Sequence, residues 1–170
     1  MSIEYKVTVD HERTTWRYAG NGKLHREDGP AIEYTCGRKE WHNNGKLHRV
    51  GGPALEYHDG RKHWYFLGKL HREDGPAIES EGYEAWYQHG YLHRADGPAV
   101  THGTGTVEWY INGMLHKEDG PAITYGNGDK SWYLKGVRLS EEQFNARIKP
   151  KEMTVADIEK LLGYPVKIVK

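Results

Sequence analysis

An imidazole, a guanidinium and a carboxylate fall within four residues of one another at His25, Arg26 and Asp28, and again at His71, Arg72 and Asp74 and at His93, Arg94 and Asp96. His116 and Asp119 repeat the arrangement around Lys117, and His48-Arg49 repeats it without the aspartate. Such a set could serve as a general base with its orienting carboxylate, as metal ligands, or as a cationic grip on phosphate. The number of copies argues against the first. An active site needs one convergent constellation, whereas five evenly spaced copies serve whatever each unit of an array needs. Neither Gly-x-Ser-x-Gly nor His-Glu-x-x-His occurs, and no phosphate-cradling glycine loop accompanies the His-Arg pairs. The chain is expected not to be an enzyme.

Metal binding fails on distance. With two strands per unit spaced about 4.8 Å apart, equivalent histidines stand roughly 9.6 Å apart. Two nitrogens on one zinc ion stand no more than about 4.2 Å apart. The other histidines (His11, His42, His58, His63, His89, His102) occupy unrelated positions. No cofactor is expected.

What remains is architecture. The recurring phrase His-Arg-x-Asp-Gly-Pro-Ala marks a corner, because proline cannot donate in a ladder and the glycine before it is pushed away from helix. The aspartate is expected to accept from backbone amides two residues on, as in an Asx turn, while the histidine and arginine bond nearby carbonyls or carboxylates. His25, Arg26, Asp28, His71, Arg72, Asp74, His93, Arg94, Asp96, His116 and Asp119 are therefore read as staples that tie each corner to its neighbour.

A second set of candidates is aromatic. All six tryptophans, Trp16, Trp41, Trp64, Trp86, Trp109 and Trp132, hold one repeat position, and tyrosine follows the last four at Tyr65, Tyr87, Tyr110 and Tyr133. From Trp41 to Tyr133 these residues form a candidate binding stripe. In the structural reading Ile32, Leu55, Ile78, Val100 and Ile123 fill the gaps between the rings. In the sharper one a planar base stacks on them while Arg and His meet its phosphate.

The elements that carry these residues follow from the period. The histidine of the phrase recurs every 22 or 23 residues, the signature of a repeat array. Within each unit, short segments rich in β-branched and aromatic residues, such as PAIEY with KEWH and PALEY with KHWYF, read as strands. They are separated by glycine-bearing turns, and Asn-Gly at Asn43–Gly45 and Asn112-Gly113 favours a tight hairpin. Ile3, Tyr5, Val7 and Val9 alternate with Glu4, Lys6 and Thr8, which predicts a half-buried starting strand within residues 1–15. The array proper spans 16–137, with residues 138–170 as a C-terminal cap. In that cap Ser140 and Gln143 form a capping-box pattern opening a helix that Pro150 ends. A second helix runs from Thr154, with Asp157 at the matching position, to Gly163, and YPVKIVK reads as a final strand. The expected fold is mostly β: an extended antiparallel single-layer meander with a small helical cap.

Composition narrows the function. Leu, Ile, Val and Phe make up fewer than one residue in five, but six Trp and twelve Tyr supply apolar area and the formal charge is +0. This describes a thin folded structure rather than a disordered chain. Balanced, interspersed charge disfavours nucleic-acid polymers and membrane surfaces as partners. Cys36 is the only cysteine, so neither an internal disulfide nor a cysteine zinc site is expected. The N-terminal residues lack the cationic end and apolar run of a secretory signal, and a cytoplasmic location is expected.

The period, the glycine-punctuated strand pairs and the aromatic near each turn resemble MORN repeats. The usual Tyr-x-Gly openings are replaced by WYxxG and LHRxDGPA, so the chain most resembles a MORN-like variant of tailed bacteriophages and large viruses, in which NGKLHREDGPAIEY and a tail like MTVADIEKLLGY recur. The resemblance spans about residues 5–163. It implies a non-catalytic, phage-encoded binding protein of the host bacterial cytoplasm. The expected partner is a host protein, a defence or regulatory factor that it inhibits. A nucleotide sponge and an antitoxin-like role are alternatives, and a free edge strand offers homo-oligomer formation.

Overall fold

The computed structural model describes residues 4–148 and 154–166. Thirteen strands form one antiparallel sheet in which spatial order follows chain order throughout. It begins with Tyr5–Val9 and Arg13–Tyr18, continues through two strands per unit such as Ile32–Tyr34 and Lys39–Glu40, and ends with Lys130–Leu134 and Val137–Leu139. This is the extended meander that the repeat predicts.

The structure adds a second row of strands. In the middle four units the strand carrying the tryptophan is interrupted at that residue. Lys39–Glu40 belongs to the main sheet, whereas His42–Asn43 pairs with Lys46–Leu47 in a separate hairpin, and three further hairpins repeat this at Tyr65–Leu70, Tyr87–Leu92 and Tyr110–Leu115. Each tryptophan is the pivot between the rows. Trp41 N–H donates to the Ala54 carbonyl of the next unit, while the Trp41 carbonyl accepts from His48 N–H in its own hairpin. At the ends the strands run on through Trp16 and Trp132, because Tyr5–Val9 and Val137–Leu139 lie alongside and hold them straight. Each hairpin is sewn to the one before it, as by Gly68 N–H to the Leu47 carbonyl.

The pivot dictates the core. The alanine of every Gly-Pro-Ala corner (Ala31, Ala54, Ala77, Ala99, Ala122) is 0% exposed, since its backbone is bonded on both sides where the two rows meet. Beside the alanines lie Ile32, Leu55, Val100 and Ile123, all buried. These aliphatics pair in register with the residue before each tryptophan, as Leu55 does with Glu40. A one-residue offset in a strand reverses the face, so they do not fill the gaps between the indole rings as the sequence suggested.

At the C-terminal end, helix α1 (Glu141–Ile148) packs on the last two strands and buries Phe144. Ser140 Oγ accepts from Gln143 N–H at 3.1 Å and Gln143 Oε1 accepts from Ser140 N–H at 3.0 Å, a reciprocal capping box. Helix α2 (Val155–Leu162) ends at Gly163, whose φ of 77° closes the last turn. Pro150 lies outside the described residues, as does the Asp157 side chain, and the expected final strand falls mostly on residues 167–170, also outside them.

Candidate functional site

The arginine of each corner is the hub of one side of the ribbon. Arg72 lies over the Trp64 ring at 4.1 Å, and Arg26, Arg49 and Arg94 lie over Trp16, Trp41 and Trp86 at 4.1, 3.9 and 4.1 Å. In the fifth copy Lys117 takes this place over Trp109 at 4.2 Å. Arg72 Nη1 donates to the Pro76 carbonyl at 3.2 Å and to Glu79 at 2.5 Å, while its Nε donates to Asp74 at 2.9 Å. Arg26 and Arg94 hold Asp28 and Asp96 in the same way, at 2.9 and 3.0 Å, and Asp119 stands 3.7 Å from Lys117. The corner glycine makes room for this cation: a Cβ on Gly75 would stand 2.5 Å from the Arg72 guanidinium carbon.

The aspartates therefore serve the arginine rather than an Asx turn. The reason is covalent. The residue two after each aspartate is the corner proline, which has no N–H to give. The neighbouring arginine instead holds the Asp28, Asp74 and Asp96 carboxyls below the usual carboxylate range by hydrogen bonding.

The link between units is made by histidine. His48 Nδ1 accepts from Leu67 N–H at 3.3 Å, and His25, His71, His93 and His116 accept from Asn44, His89, Asn112 and Lys135 N–H at 3.1 to 3.3 Å. The five donors are the non-glycine residues with positive φ among those described, between 48° and 52°, each followed by a glycine of φ 79° to 92°. Two successive positive φ values make a type I′ hairpin, so each imidazole anchors the strained turn of the next unit. This bond reaches 18 or 19 residues along the chain. The x-Gly dipeptides marked these turns, but no local signal ties them to the preceding histidine.

The opposite face carries a different column. Glu40 Oε2 and His42 Nε2 are 2.9 Å apart, and Glu40 Oε1 also accepts from Tyr34 and, in a very short contact, from Arg38. Burial pushes the Glu40 carboxyl up, but the His42 hydrogen bond and the Arg38 charge outweigh it and hold the group low. Three units on, Glu108 meets His102 at 3.0 Å and accepts from Tyr110 at 2.9 Å. Burial, then the bond to Glu108, pushes the Tyr110 phenol up; burial also raises Tyr65 and Tyr87 and depresses His63.

The tryptophans and the tyrosines that follow them consequently lie on opposite faces and do not form one stripe. Trp41, Trp64, Trp86 and Trp109 each carry a cation on one side of the ring. Tyr65, Tyr87 and Tyr110 belong to the Glu–His column. Trp132, where the corner phrase ends, carries no cation among the described contacts.

Between successive corners the ribs leave repeated clefts. One of about 570 Å³ lies between the corners at His25–Pro30 and His48–Val50, with Trp41 at its wall. Others of about 650 and 560 Å³ occur one and three units further on. Among the described residues no group of three or more His, Cys, Asp or Glu could hold a metal ion, and no helix is long and apolar enough to cross a membrane.

The hairpin row carries a third feature, missed in the sequence. The residue after each hairpin glycine is Lys23, Lys46, Lys69, Tyr91, Met114 and Val137 in turn, and all are exposed. The first five of these lie against the glycine of the following hairpin, so they form one continuous column. Its first half is cationic and its second half apolar.

The fold and the two columns define a class, a β-repeat ribbon with structural side-chain ladders on both faces. No protein-family model matches this chain, and no curated protein matches its sequence.

Proposed function

We propose that the protein is a non-enzymatic binding ribbon that docks another protein along its hairpin row. The observation that carries this is the exposed column Lys23–Lys46–Lys69–Tyr91–Met114–Val137, which stands beside exposed Phe66 and Leu67. Tyrosine and methionine gathered in an exposed apolar run suit a protein interface, and the lysines beside them suit an acidic patch on the partner. The Arg–Trp and Glu–His ladders do not compete for this role, since the Arg72 guanidinium and the Glu40 and Glu108 carboxylates are bonded within the chain. The resemblance to MORN-like repeats of tailed bacteriophages supports a host defence or regulatory factor as the partner, met in the bacterial cytoplasm and blocked by surface occupation.

The test is photocrosslinking from position 91 in bacterial lysate. One predominant adduct is expected, lost in the M114S/V137S variant and weakened in K46E/K69E. Unchanged adducts in both variants would overturn the reading.

Sequestration of an anionic nucleotide is the second reading, and the stacked clefts beside Arg and His favour it. It requires a rise in melting temperature with micromolar nucleotide, by mass action. No rise across the common nucleotides would dispose of it.

A further inference from the structure

Among the described residues, the first strand of the meander is a bare edge. Tyr5–Val9 pairs with Arg13–Tyr18 on one side and with no described strand on the other. Val7 and Val9 are 51% and 75% exposed. The direction of its free backbone groups follows from the ladder. Trp16 and Tyr18 N–H turn away from this strand, to the Ala31 and Lys23 carbonyls. Thr15 and Arg17 therefore face it, opposite Thr8 and Lys6, and the N–H and C=O groups of Tyr5, Val7 and Val9 point outward. The other end differs, because α1 packs against the last two strands. An uncovered edge with five residues in regular strand geometry is a template for strand addition.

We propose that the occupant of this edge is a second copy of the same chain, joined by antiparallel pairing of Tyr5–Val9 with its equivalent about a two-fold axis through Thr8. This goes beyond the binding role proposed above and does not rest on it. Charge complementarity selects the copy and the register. With Thr8 on the axis, Val7 lies opposite the second copy's Val9, in the pairs that exchange backbone hydrogen bonds. Lys6 lies opposite the second copy's Asp10, twice, in the non-hydrogen-bonded pairs where side chains come closest. Moving the axis to Val7 would set Glu4 against Asp10 twice and Lys6 against Thr8. Moving it to Val9 would require His11 and Glu12, where the chain already turns back through Asp10 N–H to the Arg13 carbonyl. Opposite charges directly across a strand pair stabilise it and like charges destabilise it. The product is one sheet running continuously through both chains, with its two α1 ends outermost.

Analytical ultracentrifugation of the full chain over a concentration series tests this. The apparent mass is expected to rise from 19.6 kDa toward twice that value. Lys6→Asp alone and Asp10→Lys alone are expected to stay monomeric, because each would oppose like charges twice. An equimolar mixture of the two restores both opposite-charge pairs and is expected to dimerise. Asp10 also accepts from Glu12 and Arg13 N–H, so a second variant guards against misfolding. Val7→Pro removes an outward N–H only and is expected to give a monomer with an unchanged melting temperature. A wild-type chain that stays monomeric, variants that dimerise like the wild type, or a mixture that stays monomeric would each overturn the proposal.

Discussion

Replacing Arg72 by methionine keeps the apolar stem of the side chain and removes its guanidinium. Three interactions of calculable size go with it. The cation over Trp64 at 4.1 Å contributes about 1 kcal/mol at a partly shielded site. The charge-assisted bond to the Pro76 carbonyl at 3.2 Å contributes about 1.5 kcal/mol. The pair with Glu79, itself about a third exposed (36%), adds about 0.5 kcal/mol after solvent screening. Nothing is added for Asp74, which is fully exposed to solvent. The expected loss is about 3 kcal/mol, equivalent to a fall in melting temperature of roughly 6–12 °C for a chain of this size. The series has an internal control, because the fifth unit already uses lysine. Arg72→Lys retains the cation over the ring but loses the fork that reaches Pro76 and Glu79, so it is expected to lie between wild type and Arg72→Met. Urea unfolding followed by tryptophan fluorescence measures the loss, with an unchanged m-value showing that cooperativity survives. A cost for Arg72→Met below about 0.5 kcal/mol, or equal costs for the lysine and methionine variants, would refute the reasoning that the guanidinium fork organises the corner.

Three further outcomes follow from the same geometry. Removing the acceptor for His89 N–H by His71→Ala is expected to cost about 1 kcal/mol and to speed hydrogen exchange of the His89 amide, while exchange at Asn44, two units away, stays unchanged. Ala77→Leu, at a 0% exposed position, is expected to cost about 1–3 kcal/mol through overpacking, whereas the same change at exposed Ala95 is neutral by the same melting measurement. Acid should destabilise the ribbon in two stages. Burial depresses His63 below its ordinary 6.5, so the unfolded chain binds the proton more readily and stability falls as pH drops below about 6.5. Glu40 is held below its ordinary 4.5, which adds a second loss below that pH. In His63→Leu the first stage should vanish from the pH–stability curve and the second should remain.

The chain's covalent pattern was enough to establish the period, the main-sheet strands, the hairpin turns and the first helix cap, but not the second row of strands. These depend on local chemistry: alternation, x-Gly dipeptides, the missing N–H of proline, and Ser140 three residues before Gln143. Assigning the aspartate to an Asx turn failed on equally local grounds, since Pro30, Pro76, Pro98 and Pro121 stand two residues after Asp28, Asp74, Asp96 and Asp119.

What only the tertiary structure decided is which side chains meet. A repeat specifies what recurs but not the register between rows. The pivot at each tryptophan sends the strand from one row into the other, placing Trp41 with Arg49 on one face and Glu40 with His42 on the other. It leaves the alanine of each corner no space for a larger side chain. The reach of His71 Nδ1 to the His89 N–H, 18 residues along the chain, likewise exists only once adjacent hairpins lie side by side. The exposed Lys-to-Tyr-Met-Val column becomes a surface for the same reason, because six residues from six separate turns become neighbours only when the units stack.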